Sequence, residues 1–299
     1  MMTKTRRHLY ASTAVAAAVV SMASCSGSGG TKGPDHNDRG GAVVQTDPIA
    51  ALRSVQEKTR GADSARVEGT TVMGDVMSMK QSGTIDWSDG LTGTIEITYT
   101  GGTMADSMKQ AGVDDAMEAR YFKDGYVVNM GAAAAQQSGG RQWIRYAYDD
   151  LAELGGPAGD VMKDQMQNTT PDQGVKSLLA SGDVKKVGQE DVRGVSATHY
   201  SGTIDVAELS ARTSALDADQ LAKLKKQLGD AGITTEQVDI WVDDNDLLVK
   251  KVERGEMKTG EFNSTVFYSG YGTKVSVERP PATDTVDFTE LIKKQAGSS

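Results

Sequence analysis

The chain has 299 residues, a formal net charge of −9 and a single cysteine. One cysteine excludes an intramolecular disulfide, so a folded domain of this length depends on a large core for its stability. The acidic balance argues against nucleic acid or another polyanion as a partner.

The N-terminus has the order of a secretory signal peptide. Three basic residues among the first seven precede a mostly apolar run, Leu9–Ala23. This run is shorter than the roughly 20 residues that a spanning helix needs, so a retained transmembrane helix is not expected. Small residues lead directly into Cys25, which is the pattern of a lipoprotein cleavage site. We predict a signal peptide over residues 1–24 and anchoring at the outer face of the cell membrane through a diacylglycerol on Cys25.

A glycine-rich polar stretch follows the cysteine. Residues 25–46 are predicted to be the lipidated cysteine and a flexible stalk, with an r.m.s. span of roughly 25 Å. Asp47 is a good helix cap and Pro48 suits the first helical position, so a helix is predicted over Pro48–Arg60. We assign residues 47–299 to a single domain.

Beyond this helix the hydrophobic period changes to two. Asp-Gly turns at 89–90 and 124–125 lie within alternating segments and predict antiparallel hairpins. Strands are predicted at 66–72, 83–87, 91–99, 121–128, 142–146, 184–189, 198–204, 238–242, 247–256, 261–271 and 274–278. Helices are predicted from Pro171 through Leu179, at 217–228 and near 287–294. Hairpins with a few segregated helices indicate an α+β domain.

The sequence contains none of the common catalytic motifs. His199 is the one histidine of the predicted domain, and its place in a strand favours a structural role over that of a catalytic base. The acidic run Asp243–Asp246 lacks the glycine and distal glutamate of a calcium-binding EF-hand loop and is predicted to be a turn. We therefore expect no enzyme, no metal site and no other cofactor.

Methionine is concentrated in the first half of the domain. Its flexible side chain fills irregular gaps in a core, or lines a site whose ligand varies in shape, and composition leaves both alternatives open. Three strands also carry period-two apolar rows, in which Ile85 precedes Trp87, Ile95 precedes Ile97, and Val238 precedes Ile240.

The order of these elements resembles the LppX/LprG family of actinobacterial lipoproteins. The resemblance rests on the lipidation site and stalk, the opening helix, and three later segments: 194–205, 239–250 and 267–277. It implies a LolA-like fold, a curved antiparallel half-barrel sheet wrapped around a few helices. It also implies an apolar interior that holds acyl chains of lipids or lipoglycans. The candidate lining residues are Met73, Met77, Ile85, Trp87, Ile95, Ile97, Met104, Met108, Val238 and Ile240.

Two functions follow as expectations. The first is a membrane-anchored carrier that binds a lipid or glycolipid for transport in the cell envelope, with an envelope transporter as a further partner. The second is a surface lipoprotein with a solid core and no cargo, acting as an interaction or sensor module.

Overall fold

The computed structural model describes residues 47–136, 139–155, 163, 170–206 and 218–296. The predicted leader, Cys25 and the stalk lie outside these residues. The described residues all belong to one compact unit, which spans Gln45–Ser299. In this part of the chain, no helix has the length and apolar character needed to cross a membrane.

Twelve strands, seven α-helices and one short 3-10 helix, Ala282–Asp284, make up the described fold. The strands are β1 Ser64–Met73, β2 Met77–Asp86, β3 Thr92–Gly101, β4 Ala116–Phe122, β5 Gly125–Asn129, β6 Trp143–Ala147, β7 Lys185–Val192, β8 Val195–Asp205, β9 Thr235–Asp243, β10 Leu248–Met257, β11 Gly260–Ser269 and β12 Thr285–Asp287. The helices are α1 Pro48–Arg60, α2 Gly102–Gln110, α3 Gly131–Ala135, α4 Tyr148–Gly155, α5 Pro171–Ser181, α6 Ala218–Ala231 and α7 Phe288–Ala296.

All twelve strands form one open sheet in the order β12-β6-β5-β4-β3-β2-β1-β11-β10-β9-β8-β7. Every pair is antiparallel except β12 with β6, which is parallel. Ile95 of β3 and Tyr200 of β8 belong to the same core cluster. Their strands are six positions apart, roughly 29 Å along a flat sheet, so the sheet must curve around its helices. The predicted α+β class and curved sheet are confirmed.

Helix α1 forms where the sequence predicts it. The side chain of Asp47 accepts a hydrogen bond from the backbone N–H of Ile49 at 3.0 Å, which caps the helix. Leu52 and Val55 are spaced to share one face and are almost fully buried in the core. The indole of Trp87 donates to the last carbonyl of the helix, that of Arg60, at 2.9 Å. This bond ties the C-terminus of α1 to the end of β2.

Helix α5 packs beside α1 and against β8, β9 and β10. Val175 and Leu178 are fully buried there. The face of the sheet that carries α1 and α5 is called the inner face below. Gly202 of β8 permits close approach, because an added Cβ would lie 2.7 Å from Leu178 Cδ1 and 2.8 Å from the Asp183 carbonyl.

The chain after β11 crosses to the other, outer face. Val277 packs against Phe122, Val127 and Trp143 of that face. Arg120 Nη1 donates to the Glu278 carbonyl at 2.8 Å. The prediction of a strand at 274–278 was wrong: this segment has no strand pairing, because it lies across the strands rather than beside one of them. It leads to the short strand β12, which the sequence analysis missed.

The contact between α5 and β8 can be tested by adding one methyl group. Gly202→Ala should lower the free energy of unfolding by roughly 1–3 kcal/mol, since the new Cβ meets backbone as well as Leu178. Gly188→Ala on the edge strand β7 is the matched control, because an added Cβ meets nothing within 4 Å there. Urea denaturation measures both. Equal effects of the two substitutions would contradict this packing.

Candidate functional site

The inner face continues beyond α1 and α5 as a largely apolar surface on β1 to β6. The strand register places its residues on one face; for example, Tyr121, Tyr126 and Tyr146 lie side by side on β4, β5 and β6. All side chains of this surface are half-buried. This methionine–tyrosine surface consists of Met73, Met77, Met79, Ile97, Tyr99, Met117, Tyr121, Tyr126, Val128, Ile144 and Tyr146.

Stacked aromatic rings form one end of this surface. The ring centroids of Tyr126 and Tyr146 are 4.8 Å apart with planes 9° from parallel. Tyr121 stacks on Tyr126 at 5.7 Å, and Phe288 of α7 contacts Tyr146 at 4.8 Å. Tyr148 lies 6.3 Å from Tyr126, and its buried hydroxyl has no hydrogen-bond partner among the residues that the structure describes. Burial raises the pKa of Tyr148 to about 12, so this phenol stays neutral at physiological pH.

Five of the ten predicted lining residues lie in the closed part of the inner face. Ile85, Trp87, Ile95, Val238 and Ile240 are all buried in the core cluster that includes α1 and α5. Their side chains are packed between the helices and the sheet.

The other five lie outside that closed core. Ile97 packs against its edge. Met73 and Met77 pair across the β1–β2 hairpin and are half-buried. On α2, Met104 is 41% exposed and Met108 is half-buried. Because α2 contacts β2 and β3, these two methionines lie beside the strands of the methionine–tyrosine surface.

The inner face also holds charged groups that the sequence analysis missed. Lys251 Nζ lies 2.5 Å from Glu253 Oε1, and both side chains are about one-fifth exposed or less. Gly174 of α5 lies over the lysine stem. Burial alone lowers the pKa of Lys251, but the attraction of Glu253 outweighs it and the pKa is raised. The alternation of Lys251 and Glu253 along β10 was the available signal, since period-two spacing puts both on one face.

Glu236 of β9 lies near this pair. Burial and the neighbouring charge of Glu253 raise its pKa to about 7, although Lys251 acts in the opposite direction. This carboxyl group therefore titrates near neutral pH, which is unusual for glutamate.

On the outer face, His199 is held between two carboxylates. Its Nδ1 lies 3.0 Å from Glu190 Oε1 and its Nε2 lies 2.9 Å from Asp239 Oδ1. The ring stacks on Trp241 at 4.2 Å. The hydrogen bond donated by the Trp241 indole is the main cause of a lowered pKa at Glu190. With both nitrogens bonded and the ring stacked, His199 has the contacts of a structural histidine.

The acidic run after β9 is a turn, as predicted. Asp243 Oδ1 accepts hydrogen bonds from the backbone N–H groups of Asn245 and Leu247, at 2.9 and 2.8 Å. Within the residues that the structure describes, no group of three or more His, Cys, Asp or Glu side chains is arranged to hold a metal ion.

No family model matches the chain. It is 69% identical over 252 residues to the Streptomyces griseus "uncharacterized 31.2 kDa protein in rplA-rplJ intergenic region", covering 84% of this chain and 83% of that protein. It is 46% identical over 306 residues to the Streptomyces coelicolor "putative lipoprotein SCO4650", covering 97% and 98% respectively. The chain belongs to the family that these two Streptomyces proteins represent, a family of lipoprotein type.

Solved structures similar to this chain include two mycobacterial lipoproteins. LppX of Mycobacterium tuberculosis has a TM-score of 0.47 and 16% sequence identity, covering 77% of this chain and 98% of its own. LprF of Mycobacterium bovis has a TM-score of 0.47 and 14% identity, covering 79% and 97%. The relation to the putative lipoprotein of Streptomyces coelicolor confirms the predicted lipoprotein family.

The raised pKa of Glu236 predicts a pH dependence of stability. The carboxyl group titrates near pH 4.5 when unfolded and near 7 when folded. Between these values the folded state binds more protons, so the free energy of unfolding falls as pH rises through this window. Glu236→Gln removes the effect, and its stability relative to wild type should increase by roughly 2–3 kcal/mol between pH 4.5 and 8.

Urea denaturation at several pH values measures this difference. Glu261→Gln is the control, because Glu261 is exposed at the start of β11. A difference between Glu236→Gln and wild type that stays constant with pH would contradict the assignment.

Proposed function

We propose that this protein is a lipid-anchored carrier that binds the acyl chains of a lipid or lipoglycan on the inner face of its sheet. The observation that carries the proposal is the methionine–tyrosine surface. It is apolar and half-buried, and it continues the inner face away from the strands β8 to β10 that α5 contacts. Of the predicted lining residues, Met73, Met77 and Ile97 lie on this surface and Met104 and Met108 beside it.

The composition of this surface suits acyl chains. Methionine and tyrosine side chains adapt to irregular apolar shapes, and a flexible chain has no fixed shape of its own. Each methylene removed from water contributes about 0.8 kcal/mol, so a chain of ten or more carbons can be held without charged contacts.

The anchor gives the carrier its place of action. In this proposal residues 1–24 are removed, Cys25 carries a diacylglycerol, and residues 25–46 tether the domain 47–299 to the outer face of the cell membrane. Removal of the leader changes the formal charge from −9 to −12. The protein then stays near the bilayer through its acyl chains and not by attraction to anionic headgroups. An envelope transporter is the expected partner, because a carrier that takes up lipid must pass it on.

One observation favours an interaction or sensor module instead. Ile85, Trp87, Ile95, Val238 and Ile240 are buried against α1 and α5, so this half of the inner face is already filled by protein. A module with a solid core requires only such a filled core and no bound lipid. The two functions differ in whether the methionine–tyrosine surface binds lipid.

Copurification with lipid tests the carrier function. The mature chain with Cys25→Ala, exported in its native envelope behind a conventional cleavable leader and purified without detergent, should carry extractable acyl lipid in stoichiometric amount. Mass spectrometry of the organic extract identifies it. Protein that is folded and free of lipid would leave the module as the better account.

Adjacent residues of β3 provide a matched pair of variants. Ile97 lies on the inner face, whereas Thr98 lies on the outer face. Ile97→Gln should reduce the lipid recovered at least fivefold, while Thr98→Gln should leave it unchanged. Circular dichroism verifies that both variants are folded. Equal recovery from both would place the lipid elsewhere.

Metabolic labelling with an alkynyl palmitate tests the anchor. The wild-type protein should incorporate the label and enter the detergent phase on Triton X-114 partition. Cys25→Ala should incorporate none, while Ser26→Ala should behave as wild type. Label retained by Cys25→Ala would contradict lipidation at this residue.

A further inference from the structure

A cavity of about 690 Å³ lies at the end of the fold where α1 ends and α5 begins. Its walls are the C-terminal turn of α1, the turn between β2 and β3, and the first turns of α5. Trp87 is the one residue that it shares with the predicted lining set, and none of its lining residues belongs to the methionine–tyrosine surface. This volume is within the usual range for pockets that bind small molecules.

A buried carboxylate lines this cavity. Asp172, in the first turn of α5, is 6% exposed. Its side chain forms no hydrogen bond or ion pair within 4 Å to any residue that the structure describes. Because it lines the cavity, this carboxylate can accept hydrogen bonds from donor groups of a molecule bound there.

The other polar groups of the cavity are of mixed type. Gln56 and Gln173 offer amides that both donate and accept hydrogen bonds, while Arg60 and Lys176 offer donors. The ring of Trp87 adds an apolar wall, and its N–H is already bonded to the Arg60 carbonyl. A ligand that matches this set presents several hydroxyl groups beside apolar C–H faces.

The charges nearly cancel. Three carboxylates, Glu57, Asp63 and Asp172, face two cations, Arg60 and Lys176, which leaves a formal charge of −1. None of these five groups forms an ion pair within 4 Å among the residues described. A strongly charged ligand would be repelled by one of the two sets, whereas a neutral polyhydroxyl compound can hydrogen-bond to both.

We propose that this cavity binds a neutral saccharide, with Asp172 accepting hydrogen bonds from its hydroxyl groups and Trp87 packing against its ring. Such a ligand is either a free glycan or the headgroup of a glycolipid, since both present the same chemistry. Saccharide binding at this site does not require acyl chains on the methionine–tyrosine surface. The two binding proposals can therefore be tested separately.

Saturation-transfer-difference NMR tests the site. The full chain is purified in lauryldimethylamine oxide, a detergent without a sugar headgroup. Trehalose and methyl glucoside are the free probes, and glucosyl diacylglycerol in nanodiscs is the lipid probe. Wild-type protein should transfer saturation to the sugar protons of at least one probe. Asp172→Ala should reduce this transfer at least fivefold, whereas Asp106→Ala, at an exposed position on α2, should not change it.

A second variant is needed because Asp172→Ala changes a buried residue and could prevent folding. Arg60→Ala changes an exposed side chain and keeps the backbone carbonyl that bonds Trp87, and it should also reduce the transfer. Transfer to a free probe identifies a soluble glycan as ligand, and transfer in nanodiscs alone identifies a lipid headgroup. Absence of transfer to every probe, or transfer that both variants retain while folded, overturns the proposal.

Discussion

The inner face of the sheet is wider than the two helices that pack on it. The rest of the structure depends on this difference in width. Twelve strands at about 4.8 Å spacing give an inner face roughly 50 Å across, measured along its curve. Two helices side by side cover about 20 Å. Helices α1 and α5 therefore complete a core over part of the inner face, and the remaining apolar strands need another cover. Among the residues that the structure describes, the methionine–tyrosine surface is the part of the inner face that α1 and α5 do not cover.

The two parts of the inner face differ in chemistry as well as in cover. Under α5, β-branched and leucine side chains pack closely, and even the stem of Lys251 is enclosed by Gly174. On β1 to β6, flexible methionines and stacked tyrosines replace them. Rigid packing suits a permanent core, and adaptable side chains suit a changeable occupant. The outer face is closed differently, by the crossing segment with Val277 and by the stack of His199 on Trp241.

Sequence reasoning correctly predicted the elements that local chemistry determines. The cap at Asp47 defined α1, and Asp-Gly turns defined hairpins, because both signals act within a few residues. It placed a strand at 274–278, where alternation reflects packing across the outer face instead of pairing. It missed β12, whose three residues pair with a strand more than a hundred residues away. The sequence also could not distinguish the buried Ile85 from the half-buried Ile97. Period-two spacing puts both on the inner face but does not show which of them a helix covers.

Photo-crosslinking of lipid in the cell shows directly whether acyl chains occupy the inner face. Cells are fed a fatty acid that carries a diazirine near its end, and the purified mature protein is digested and mapped by mass spectrometry. If acyl chains bind there, adducts are expected on inner-face residues of β1 to β6, such as Met79, Met117 and Tyr126. Adducts confined to outer-face residues such as Thr98, or acyl label found only at Cys25, would contradict binding on the inner face.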